Sequence, residues 1–128
     1  MVTFLPSACR RYLEGRGLVF REVLDPHGQR GLVLGPLTLP VGKFTAPVAD
    51  VLILLPPGYP DAPPDMFYTD PWLKLVPGNR DPKAASVPMS FDDKTWQRWS
   101  RHNNAWRPGK DGIWTMLKRI ETAIAEAQ

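Results

Sequence analysis

Cys9 is the only cysteine among 128 residues. A thiol ionises partly near neutrality and makes an acyl intermediate that is reactive toward amines, so any such chemistry here rests on that residue. A single cysteine also excludes an internal disulfide framework and a multi-cysteine zinc or iron–sulfur site. His102 is the second candidate, as a general base or as a polar anchor for a peptide tail. Ser100, two residues before it, is paired with it as a candidate catalytic set, although residues two apart on a helix point in different directions. Trp72, Arg98, Trp99 and Arg101 form the candidate binding set, with Trp72 expected to be partly exposed. Each has a plainer reading. Cys9 is a buried thiol, His102 packs on tryptophan, the arginines are solvated charge, and Trp96, Trp99, Trp106 and Trp114 build a helix-side core. The two histidines, His27 and His102, are far apart and follow no ligand spacing, so no metal or other cofactor is expected. The glycines match no phosphate-cradling loop.

The elements that must position these residues follow from periodicity and punctuation. Residues 5–14 are expected to form a short helix with Ser7 as N-cap and Gly15 and Gly17 as stops. Residues 18–24 and 31–34 read as a hairpin around Asp25-Pro26-His27-Gly28, and residues 37–40 resume the second strand after Gly35-Pro36. In residues 48–55, Ala49, Val51, Ile53 and Leu55 share one face while Leu52 and Leu54 make the other apolar, which marks a central strand covered on both sides. Pro56 and Pro57 stop it, and a proline-rich connector leads to a short strand at 66–69. Residues 70–91 show no dominant period and read as loop. Asp92 or Asp93 is expected to cap a helical turn carrying Trp96, Trp99 and His102, and Asp111 a final helix. That helix has Ile113, Met116, Leu117, Ile120, Ala123 and Ile124 on one stripe.

The chain has the length and the 43% hydrophobic, 23% charged composition of one domain, taken as residues 1–128. Sixteen Lys and Arg against thirteen Asp and Glu give a net charge of +3, a mild excess that argues against nucleic acid as the partner. No apolar run approaches the ~20 residues of a membrane helix, and the start lacks signal-peptide order, so a cytoplasmic location without membrane contact is expected.

Two spaced patterns go further. Gly35-Pro36-Leu37-Thr38-Leu39-Pro40 with Gly42 precedes Ala49, Val51, Ile53, Leu55 and Pro56, and then comes Tyr59-Pro60-x-x-Pro63-Pro64-x-x-x-Tyr68. Trp106-Arg107-Pro108 later leads into an apolar helix. The set resembles the ubiquitin-conjugating enzyme (UBC-like) superfamily. The stretch from Trp96 to Asp111 is most similar to its prokaryotic family E branch, which is encoded beside multi-ubiquitin-like proteins, an activating enzyme and a JAB-type deubiquitinating metalloprotease. The resemblance implies an α+β, UBC-like fold. It would have a four-stranded antiparallel meander, a short N-terminal helix and C-terminal helices packed on the sheet, and a cis bond is expected at Tyr59–Pro60. The implied partners are a ubiquitin-like or multi-ubiquitin-like protein and the activating enzyme.

The superfamily's thioester cysteine falls between the fourth strand and the tryptophan–proline turn, near a histidine–proline–asparagine. Here residues 70–104 contain no cysteine. Val76-Pro77-Gly78 and Val87-Pro88-Met89 lack the histidine and the asparagine. The leading expectation is therefore a non-thioester variant that binds the ubiquitin-like protein or the activating enzyme. The alternatives are transfer through Ser100 and His102 or through Cys9, and a basic nucleic-acid-binding module.

Overall fold

A computed structural model describes residues 3–102 and 105–128; Asn103 and Asn104, at the end of the cysteine-free segment, lie outside the described residues. Helix α1 spans Ser7–Gly15, strands β1 to β4 span Phe20–Leu24, Arg30–Thr38, Val48–Leu55 and Phe67–Asp70, β5 and β6 span Val87–Phe91 and Lys94–Trp99, and α2 spans Ile113–Ala125. All strands join one antiparallel sheet in the order β1-β2-β3-β4-β6-β5. The meander is the expected one, but the sheet has six strands rather than four.

β5 and β6 replace the expected loop end and helical turn. Asp92 and Asp93 are not helix caps. They adopt φ of 52° and 59° between paired Phe91 and Lys94, as in a type I′ hairpin turn. The three-residue spacing of Trp96 and Trp99 mimics a helical face, but on a strand it sends the two rings to opposite sides of the sheet. Trp99 joins the helix-side core with Leu13, Val51, Ile53, Phe67, Met116 and Ile120, correcting only Trp96, which packs on the other face with Val33, Leu52, Tyr68 and Phe91.

The sheet curls so that the β5–β6 hairpin end arches over β2 and β3. A Cβ on Gly31 would come within 2.4 Å of the Phe91 ring and 2.9 Å of Leu52, so any larger residue there would have to displace those buried side chains. At Gly35, φ is +140° and an added Cβ would meet the Asp50 carboxylate at 2.7 Å. The ladder shifts register there between Leu34 and Leu37, so Gly35-Pro36 makes a bulge inside β2 instead of interrupting it. β3 is central, with Val51, Leu52 and Ile53 fully buried.

Both helices pack on the same face. α1 buries Cys9 and Leu13; Pro6 precedes it and Ser7 is its first residue, without a side-chain cap bond. α2 buries Ile113, Met116, Leu117, Ile120 and Ile124. Gly112, not Asp111, is its N-cap. Asp111 acts one position earlier, accepting hydrogen bonds from the Thr115 hydroxyl and from the Arg107 side chain and backbone. The Arg107 bonds hold the Asp111 carboxyl below its usual value. Pro36, Pro40, Pro63, Pro64 and Pro108 stand at the bulge, turns and connector, and the peptide bonds before Pro36 and Pro60 are cis. Among the described residues no helix is long and apolar enough to cross a membrane.

Candidate functional site

β6 ends at Trp99, and the chain then leaves the sheet toward α2, forming a corner built on a buried polar frame. Gln97 is fully buried, and alternation along β6 puts its side chain on the helix side. Its carbonyl oxygen accepts from the Thr69 hydroxyl at 2.9 Å and the Leu73 N–H at 2.7 Å, and its amide donates to the Leu73 and Ala85 carbonyls, each at 2.9 Å. The amide's hydrogen-bonding capacity is thus used, which is the condition for keeping it buried. Trp99 stacks on Phe67 at 5.3 Å between centroids and donates its indole N–H to Thr69 Oγ1 at 2.9 Å. These bonds order the segment between β4 and β5 from within.

On this frame the corner is pinned residue by residue. Ser100 donates its backbone N–H to the Ala84 carbonyl at 2.9 Å. The Arg101 guanidinium donates to the Lys83 and Ser100 carbonyls and lies 5.5 Å over the Trp99 ring. His102 Nδ1 is 2.9 Å from Asp65 Oδ1, with side chains 53% and 58% exposed. Arg119 of α2 donates to the His102 backbone carbonyl at 3.2 Å. An ionised carboxylate only accepts hydrogen bonds, so against ionised Asp65 the proton sits on Nδ1 and the neutral ring keeps its lone pair on Nε2.

The thiol lies elsewhere. Cys9 is 2% exposed, and its Sγ is 3.1 Å from the Tyr59 hydroxyl. Burial, then the contact with Cys9, pushes the Tyr59 hydroxyl well above its ordinary pKa. Tyr59 packs 6.4 Å from the Trp106 ring, whose N–H donates to the Pro60 carbonyl at 2.9 Å. The Tyr59-Pro60 connector therefore covers Cys9 and carries the tryptophan–proline turn on its other side.

Of the residues singled out from sequence, Ser100, Arg101 and His102 meet at the corner, though no hydrogen bond joins Ser100 to His102 among the described residues. They follow a strand, not a helix. Trp99 is fully buried beneath them. Arg98 pairs across the ladder with Tyr68 on the opposite face, and its Nε is buried without a partner. Trp72 is half-buried and donates to Asp81 at 2.8 Å. Asp65, Gln97 and Arg119 were not picked out. Asp65 had a cue only in its place at the end of the proline connector, and Gln97 only in its place between two tryptophans. No group of three potential metal-ligating side chains occurs among the described residues.

The model of prokaryotic E2 family E matches residues 5–127. The chain belongs to that family. The match to family E runs from the segment before α1 to the residues after α2, so it takes in the sheet, the connector and the His102 corner together. No curated protein and no solved structure shows a significant match.

Proposed function

We propose that this family E protein serves a ubiquitin-like modification pathway as a non-thioester binding component. Its partners are a ubiquitin-like or multi-ubiquitin-like protein and the activating enzyme, and it engages them in the cytoplasm through the corner formed by Ser100, Arg101 and His102. One observation carries this reading: the sole thiol is 2% exposed beneath Tyr59, while residues 70–104 offer no other. A thiol so enclosed has no path to an acyl donor. Calorimetry and crosslinking of the purified protein with a ubiquitin-like partner and an activating enzyme test the reading. A complex that survives Cys9→Ala is expected, and the absence of any complex overturns it.

A second reading is favoured by the His102–Asp65 pair. A carboxylate on Nδ1 fixes the tautomer and leaves Nε2 as the open acceptor, an arrangement suited to proton abstraction from an incoming amine or hydroxyl. It requires transfer activity abolished by His102→Ala and reduced by Asp65→Asn. Activity retained in both variants removes it.

A further inference from the structure

Along α2, Thr115, Lys118, Arg119 and Thr122, continued by the C-cap Glu126, recur at three- and four-residue intervals and so share one face. That face, with Arg101 and His102, lines a groove of about 480 Å³. Arg101, Lys118 and Arg119 bring three cations to the groove, against the single carboxylate of Glu126. Among the described residues none of the three has a carboxylate partner, a state shared with other cations of the surface, but in the groove they stand together against one acid. Arg101 and Arg119 are instead held by the Lys83, Ser100 and His102 backbone carbonyls. Such bonds orient a guanidinium without neutralising it, leaving donors in the planar fork that matches a carboxylate.

We propose that this groove binds an acidic segment of a partner protein, with its carboxylates on Arg101, Lys118 and Arg119 and its chain passing His102. The proposal deepens the reading above by giving the partner's chemistry at the same corner, and it rests on that reading for the identity of the partner. The eleven-residue rise from Thr115 to Glu126 is about 16 Å of helix, enough for roughly five residues of extended peptide. A nucleic acid fits less well. Its backbone calls for a longer basic track and exposed rings for stacking, whereas here Trp99 is buried and Trp106 is tied to Pro60.

Fluorescence anisotropy at low ionic strength with a labelled Glu-Gly repeat peptide tests this directly. The controls are the matching Gln-Gly peptide and a single-stranded DNA oligonucleotide. The Glu peptide is expected to bind, the Gln peptide not to bind, and Lys118→Gln/Arg119→Gln to weaken binding roughly tenfold or more. Arg30→Gln, remote from the groove, should leave binding unchanged. Circular dichroism establishes that the double variant is folded, and Arg101→Gln gives an independent second variant. Equal binding of the Gln peptide, tighter binding of DNA, or full affinity in both groove variants overturns the proposal. Peptide binding without a complex with the activating enzyme or ubiquitin-like protein would sink the functional reading and leave the groove standing; the reverse result would do the opposite.

Discussion

The Cys9 environment and the His102 corner meet opposite ends of the same proline connector, and the one holds a covered thiol while the other holds exposed polar groups. The pocket has the nucleophilic atom type without access: Sγ is 3.1 Å from the Tyr59 hydroxyl and the residue is 2% exposed. The corner has access without a thiol, its His102 and Asp65 side chains more than half exposed. The connector serves both, offering Tyr59 to the thiol and Asp65 to the histidine. One connector thus covers the thiol at Tyr59 and leaves exposed the polar pair that it completes at Asp65.

The sharpest way to break this contrast is to loosen the frame under the corner. Gln97→Leu leaves Thr69, Leu73 and Ala85 groups unpaired in the core, and a loss of about 3 kcal/mol or more in denaturant unfolding is expected. Next in size is the thiol side. Glu22 accepts the backbone N–H groups of Phe4 and Leu5 and pairs with Arg10 at 2.6 Å, tying both flanks of Cys9 to β1. Burial works against its ionisation, but the Leu5 bond, the Arg10 pair and the Phe4 bond outweigh it and hold its pKa below 4.5. A depressed carboxylate pKa contributes stability above the unfolded value that is lost as pH falls through the folded one. Glu22→Gln should therefore cost about 2 kcal/mol at neutral pH, and the gap to the unaltered protein should close below about pH 4.5. Labelling of Cys9 by a thiol reagent should quicken in that variant at neutral pH. The smallest effect is expected at the exposed corner, where His102→Ala and Asp65→Asn should each change stability by no more than about 0.5 kcal/mol, measured by thermal unfolding. A larger loss would mean that the pair is structural rather than poised for a partner.

The sequence made the first half of the fold legible because its strands are short apolar, β-branched runs and its turns carry proline and glycine. The α2 stripe was equally plain. The β5–β6 hairpin was hidden for two physical reasons. Its turn uses two aspartates at positive φ in place of glycine, and its second strand lies between two cores, so apolar residues three apart both find burial on opposite faces. Residues 71–86 are held by contacts from distant parts of the chain, among them the Gln97 side chain and the backbone of Lys43 and Thr45, which no local pattern encodes. The same holds at the corner. His102 stood out by type, but Asp65, 37 residues away, joins it only once the connector has turned back along β4.

A non-thioester binder requires that Cys9 carry no thioester. Intact-mass spectrometry of the protein incubated with ATP, an activating enzyme and a ubiquitin-like protein, without reductant, tests it most directly. The chain is expected at its unmodified mass, with no adduct on either the unaltered protein or Cys9→Ala. An adduct of one ubiquitin-like protein that is released by a thiol reductant and absent from Cys9→Ala would contradict it.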